Sequence, residues 1–314
     1  MKWSDTSVRC GVVLAAGEGK RLQPFVQRMR GDSLPKQYVR FVGNRSLLEQ
    51  TFQRAEKVIS PQHVFTVVSK QHLGYSEVRR QVLSRPAGTV VVQPVNKETG
   101  PGVLLPLMHI FKRFPESTVA IFPSDHFITE EELFMSHVDL AFRVVERHPS
   151  YVILLGIEPS TVEPEYGYIV PGGRVGFLNP LPVRGVSQFV EKPSQRRAEE
   201  LIERGGLWNT MVMVFKVKIL LDLMWGVAPA LYGSFKSIHE AIGSAKEMDV
   251  VERAYRNMEP VNFSAGLLAG FPMENLLVLP VRGVGWSDWG TERRIVTSLK
   301  KNGNFVLHRE ISEE

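Results

Sequence analysis

The stretch Val8-Arg9-Cys10-Gly11-Val12-Val13-Leu14-Ala15-Ala16-Gly17-Glu18-Gly19-Lys20-Arg21-Leu22 runs from a near-continuous apolar segment into a glycine-rich turn. A strand with one wet face alternates polar and apolar residues; a run without that alternation reads as a strand covered on both faces, as in a parallel sheet. The small residues and glycines that follow let backbone N–H groups approach phosphate oxygens closely. Arg21 can add a two-pronged fork to a phosphate. Two familiar loops do not fit. A P-loop needs glycine where Leu14 stands and Ser or Thr where Arg21 stands, and the dinucleotide fingerprint needs glycine at Leu22.

Working outward, similar apolar runs recur at Val64–Val68, Thr89–Gln93, Thr118–Phe122 and Tyr151–Gly156. Helical patterns separate them at Ser46–Val58, Gln71–Leu83, Gly102–Phe114 and Glu130–Arg147. This alternation predicts an α/β fold, Rossmann-like and doubly wound, with a mostly parallel sheet flanked by helices. After Ser160 the rhythm loosens. Pro159–Pro182 is rich in Pro and Gly, strands are expected at Gly185–Glu191, Leu207–Phe215 and Asn275–Pro280, and helix over most of Lys216–Met258 and Glu292–Lys300. No repeat or linker interrupts the chain, so 1–314 reads as one domain with insertions.

Of the 314 residues, 43% are hydrophobic and 23% charged, an ordinary globular composition. No apolar run is long enough for a bilayer, and Met1–Arg9 lacks a signal-peptide core. Cys10 is the single cysteine, which excludes an intrachain disulfide. The expected location is the cytoplasm, with no membrane partner. The net charge of +5 comes from dispersed pairs such as Arg79-Arg80, Arg196-Arg197 and Arg293-Arg294, with no basic block interleaved with aromatics. Nucleic acid is therefore not the expected partner; small phosphate anions suit the charge equally well.

With Leu34-Pro35-Lys36-Gln37 added to the glycine turn, the sequence resembles the sugar nucleotidylyltransferase family, and the glutamine after the lysine is most similar to its mannose-1-phosphate guanylyltransferases. The resemblance continues in the family's order. It takes in Gln93-Pro94 with Thr99-Gly100-Pro101-Gly102, then Phe122-Pro123-Ser124-Asp125-His126, Glu165-Tyr166-Gly167-Tyr168-Ile169, Val190-Glu191-Lys192-Pro193, Trp208-Asn209-Thr210-Met211, and Gly285-Trp286-Ser287-Asp288-Trp289-Gly290-Thr291.

The resemblance implies transfer of a nucleotidyl group from a nucleoside triphosphate to a sugar-1-phosphate with Mg²⁺. Leu14, Ala15, Ala16, Gly17, Gly19, Gln93, Thr99 and Gly100 would bind the nucleotide, which places that function in residues 1–160. Gly167, Tyr168, Glu191, Lys192 and Asn209 would bind the sugar phosphate, in residues 161–314. Arg21, Lys36 and Asp125 would be catalytic, and Asp125 and Asp288 would hold the metal. Val26–Ser33 is expected to be a mobile loop closing on substrate, and the 99–102 loop to be small and flexible. His126 is expected to be structural, because an ionised sugar phosphate needs no base. Ser124 and Met211 depart from the family pattern, and Met211 is expected to narrow or reshape the sugar pocket. The chain's length leaves little room for the extra domain that some relatives append. A homo-oligomer, another base, or a non-catalytic nucleotide-sugar-binding regulator on the same fold stay open.

Overall fold

The structure, a computed structural model, describes residues 7–301. The strands are β1 Arg9–Leu14, β2 Val64–Ser69, β3 Val90–Gln93, β4 Thr118–Pro123, β5 Phe127–Ile128, β6 Val152–Ile157, β7 Tyr168–Arg174, β8 Arg184–Val190, β9 Leu207–Lys216, β10 Leu276–Val281 and β11 Trp286–Ser287. The α-helices are α1 Gln23–Arg30, α2 Leu47–Ala55, α3 Ser76–Leu83, α4 Thr99–Arg113, α5 Glu131–Arg147, α6 Gln195–Glu203, α7 Val217–Val227, α8 Pro229–Ala241, α9 Glu247–Asn257, α10 Phe263–Gly266 and α11 Glu292–Lys301.

Among the described residues, β3-β2-β1-β4-β9-β6-β10-β8-β7 form one nine-stranded sheet. Only β8 and β9 oppose the common direction of the other strands, since β9 is antiparallel to β4, β6 and β7, and β8 to β10 and β7. The sheet is mostly parallel, as the buried apolar runs imply. β7 also pairs with β9, so β9, β6, β10, β8 and β7 close into a small ring.

Period-two alternation along each strand feeds two cores. In β1, Cys10 and Val12 join the cluster under α4, α7 and α8, while Val13 joins the one under α2 and α5. In β6, Val152 and Leu154 face the first core, and Ile153, Leu155 and Ile157 the second. Each fully buried aliphatic side chain stabilises by about 1.5–3 kcal/mol, so both faces demand cover and the fold is doubly wound. Gly11 serves this packing too: a Cβ there would meet Ile59 at 3.1 Å.

Two local expectations are corrected. Residues 26–30 of the supposed mobile loop belong to α1, which starts at Gln23. Pro24 sits in its first turn, Phe25 and Val26 are buried, and Gly31 closes it at φ 81°. Proline inside the start and glycine past the end are helix bounds, which the arginines obscured. Residues 99–102 are likewise not a flexible loop but the first turn of α4.

Candidate active site

The C-terminal ends of parallel strands are where such sheets present their chemistry. Leu14 ends β1, Gln93 ends β3, Asp125 lies two residues past β4, and Gly285–Gly290 follows β10. Because β9 runs the other way, its beginning, Trp208 and Asn209, reaches the same edge; Asn209 pairs with Gly156 near the end of β6.

The glycine turn is braced from below. Gln37, buried, donates its amide to the carbonyls of Ala15 at 2.9 Å and Gly17 at 2.7 Å. Tyr38 donates its hydroxyl to Ala15 at 2.8 Å. The N–H of Ala15 is bound to Val67 at 3.0 Å, so both backbone groups of Ala15 are engaged inside the protein. Gly19 adopts φ 62°. Leu14, Ala16 and Gly17 line a pocket of about 150 Å³ with Gln93, Thr99 and Gly102. Gln93 Oε1 is buried without a hydrogen-bond partner, 3.7 Å from where a Cβ on Gly102 would stand. Gly100 does not line it. Its N–H donates to Val261 at 2.8 Å, and a Cβ would stand 2.7 Å from the Val261 carbonyl oxygen. Gly102 takes the place expected for Gly100.

Lys36 is the hinge of the arrangement. Its buried ammonium donates to the carbonyls of Asp288 at 2.6 Å and Trp289 at 3.1 Å and lies 3.0 Å from Asp125 Oδ2. An ammonium has three donors, so Lys36 ties together the two loops that carry the carboxylates. Burial pushes the Asp125 carboxyl up, but Lys36 and the neighbouring His126 outweigh it and hold it below the usual range. Asp288 behaves likewise, with burial opposed chiefly by the Tyr166 hydrogen bond and by Lys36. Both are ionised at neutral pH. Arg21, exposed, pairs with Glu165 across the mouth of the site.

His126 accepts the indole N–H of Trp286 on Nδ1 at 3.2 Å. An indole nitrogen only donates, so the ring's proton sits on Nε2, 3.9 Å from Asp125 Oδ1. Burial lowers its pKa to about 4, leaving a neutral ring fixed between Trp286 and Asp125.

Glu191, Asn209 and Gly167 meet at one point. A Cβ on Gly167 would stand 2.5 Å from Glu191 Oε2 and 3.3 Å from Asn209 Cβ, so the glycine makes room for the carboxylate. Burial raises the Glu191 carboxyl, against the exposed Lys192 beside it. Tyr168 lies on β7, next to Gly167. It is fully buried, its hydroxyl donates to the Glu163 carbonyl at 3.2 Å and accepts from Trp208 at 3.1 Å, and it braces the wall from behind. Met211, at φ 58°, occupies backbone space that favours glycine, and its sulfur accepts from Ser264 at 3.0 Å, turned toward α10.

A second cleft, about 890 Å³, opens beside Asp288 between Tyr166, Trp208, Trp286 and Arg294; Glu191, Lys192 and Asn209 do not line it. Tyr166, Glu163, Arg294 and Gln37 escaped the sequence reading. Gln37 and Tyr166 stood inside quoted motifs, whereas Glu163 and Arg294 lay outside every motif.

The nucleotidyl transferase family model matches residues 10–302. The chain belongs to that family. This nucleotidyl transferase is 27% identical over 285 residues to the alginate biosynthesis protein AlgA of Pseudomonas syringae pv. tomato, covering 89% of this chain and 56% of that protein. It is 26% identical over 293 residues to mannose-1-phosphate guanylyltransferase 2 of Escherichia coli O157:H7, covering 89% and 58%. The chain thus spans little more than half the length of these relatives. The same fold is seen in the crystal structure of mannose-1-phosphate geranyltransferase from Thermus thermophilus, with a TM-score of 0.76 at 24% identity over 92% of this chain and 79% of that one. No helix of the nucleotidyl transferase is long and apolar enough to cross a membrane among the described residues.

Proposed function

We propose that the protein transfers a guanylyl group from GTP to mannose-1-phosphate, giving a nucleotide sugar and pyrophosphate. The observation that carries this reading is Lys36 drawing Asp125 and Asp288 to one point beside the glycine turn. The names of the two relatives support the choice of base and sugar.

A sugar-phosphate oxygen attacks the α-phosphorus, a new P–O bond forms, and the bond to the β-phosphate oxygen breaks as pyrophosphate leaves. Both reactants are anions, so the task is to offset charge and align groups. In this reading the 150 Å³ pocket takes the base, with Gln93 Oε1 accepting from a ring or amino N–H of guanine. Gly17 and Gly19 present the turn to the triphosphate. Arg21 exchanges Glu165 for the departing pyrophosphate. Glu191 and Asn209 accept and donate to sugar hydroxyls, and Lys192 meets the sugar phosphate. Division of labour follows, with residues 1–160 binding nucleotide and 161–314 sugar phosphate.

The donor set fits Mg²⁺: Asp125 and Asp288 offer hard carboxylate oxygens on loops joined by Lys36, and among the described residues no group of three or more His, Cys, Asp or Glu forms a cage. Phosphate oxygens and water would fill the remaining positions. Asp125 and Asp288 would hold the ion, which would supply positive charge against the phosphates. Lys36 fixes the Asp125 carboxylate and the Asp288 backbone and adds its own charge.

Pyrophosphate release across a matrix of nucleoside triphosphates and hexose-1-phosphates tests the reading. GTP with mannose-1-phosphate is expected to be the best pair. Equal turnover of UTP, dTTP or ATP would refute the guanylyl assignment. No turnover with any pair, alongside tight binding of a nucleotide sugar, would make the protein a regulator.

A further inference from the structure

Asp288 is held harder than a carboxylate awaiting a cation needs to be. Its Oδ1 accepts from the Tyr166 hydroxyl at 2.7 Å, the Gly290 N–H at 2.9 Å and Arg294 at 2.9 Å. Those three donors fill Oδ1. Oδ2 has only the same guanidinium nitrogen, at 3.2 Å. A Cβ on Gly290 would stand 2.5 Å from Oδ2, so glycine keeps that oxygen uncovered. Arg294 is itself clamped: its other terminal nitrogen pairs with Glu163, its guanidinium carbon lies 4.6 Å from the Tyr166 ring centre, and its side chain is 18% exposed.

Asp125, Asp288 and Glu163 contribute three negative charges, and Lys36 and Arg294 two positive ones, so the cluster is nearly balanced without any ligand. A divalent cation entering alone gains little from such a cluster and is repelled by a guanidinium already on its ligand. A triphosphate brings the missing negative charge.

We propose that Arg294 is a positioning residue that presents Asp288 through Oδ2 alone and, by its charge, keeps the carboxylate pair from taking up a divalent cation until the triphosphate arrives. The proposal rests on the reaction proposed above, but its test does not use that reaction.

Mn²⁺ is titrated into the nucleotide-free protein and free ion is read by electron paramagnetic resonance. Arg294→Gln is expected to bind Mn²⁺ about tenfold or more tightly than the wild type, because one repelling charge is gone. Arg294→Lys, which keeps the charge, is expected to stay near the wild type. Glu163→Gln removes a negative charge and is expected to weaken binding several-fold by the same Coulomb argument. A merely structural arginine would give the opposite sign at position 294, since disordering Asp288 loosens a ligand. Unchanged or weaker Mn²⁺ affinity in Arg294→Gln overturns the proposal. If that variant does not fold, as judged by circular dichroism, Glu163→Gln decides: unchanged or tighter binding there overturns it. Absence of pyrophosphate release by the wild type would instead refute the reaction, and the sign of these Mn²⁺ shifts would still be read independently.

Discussion

Gly17 and Gly19 lie two positions apart and are glycine for different reasons. Gly19 adopts φ 62°, where an L side chain is strained, and a Cβ would sit in ordinary contact 3.5 Å from the Lys36 nitrogen. At Gly17 the backbone is unstrained and nothing lies within 4 Å of a Cβ, but the residue lines the 150 Å³ pocket. Gly19→Ala is therefore expected to cost roughly 1–2 kcal/mol of stability, visible as a lower urea midpoint. Gly17→Ala should leave that midpoint within about 0.5 kcal/mol and raise the KM for nucleotide. The reverse pattern would mean that the turn's shape has been misassigned. Below the turn, buried His72 lies 3.2 Å from the Tyr38 hydroxyl that holds Ala15. Burial lowers its pKa, so folding favours the neutral ring. The unfolded chain takes up that proton first. The stability this contributes is present above the ordinary imidazole value, about 6.5, and is lost as pH falls from there through the lower folded value. His72→Gln should flatten the slope of stability against pH in that window; an unchanged slope would place the titration elsewhere.

The start of α4 shows how an element answers to its neighbours. Its first turn carries Gly100 and Gly102, poor helix formers that look like loop residues in isolation. The structure explains both by approach: Gly100 abuts the Val261 backbone, and Gly102 faces Gln93 at 3.7 Å from a notional Cβ. Gly100→Ala forces two backbones apart and is expected to cost about 1–3 kcal/mol. Gly102→Ala fits, and should act on nucleotide binding while sparing the melting temperature. A Gly100→Ala protein as stable as the wild type would show that the 261–263 segment yields easily. Much of the fold was legible because strands buried on both faces show as apolar runs whatever surrounds them. The reversed direction of β9 was not, since Leu207–Phe215 is apolar in either sense and nothing local states polarity. α1 was missed because its arginines outweighed Pro24 and Gly31, and the inward turn of Met211 because only tertiary contact with Ser264 reveals it. In the site, single acidic residues at strand ends were readable, while Arg294 lay outside every motif and acquires its place only when α11 packs beside Asp288.

At the scale of the whole molecule, the site depends on two carboxylates 163 positions apart that no local structure can align; Asp125 comes from the end of β4 and Asp288 from the loop after β11. Their meeting is enforced twice. β5 pairs with β11, with Phe127 opposite Ser287, which places the residues flanking the two carboxylates on adjoining strands. Lys36, from a third region, then bridges the Asp125 carboxylate and the Asp288 backbone. The stacking of Phe127 on Trp289 at 4.3 Å seals the junction with apolar contact. The β5–β11 pairing and the Phe127–Trp289 stack involve neither carboxylate's charge, so Asp125→Asn and Asp288→Asn should both fold. Each should still lower turnover by about 10²-fold or more, equivalent to roughly 3 kcal/mol of lost electrostatic stabilisation. If the two carboxylates serve one ion, the first substitution removes most of what the second could remove, and the double variant should fall far short of the product of the single losses. Turnover measured against Mg²⁺ concentration in the wild type, both single variants and the double variant decides the matter. A shared ion requires that each single variant need more Mg²⁺ for half-maximal rate. Strictly multiplicative losses with an unchanged Mg²⁺ requirement would mean that Asp125 and Asp288 act separately, and that Lys36 brings them together for packing alone.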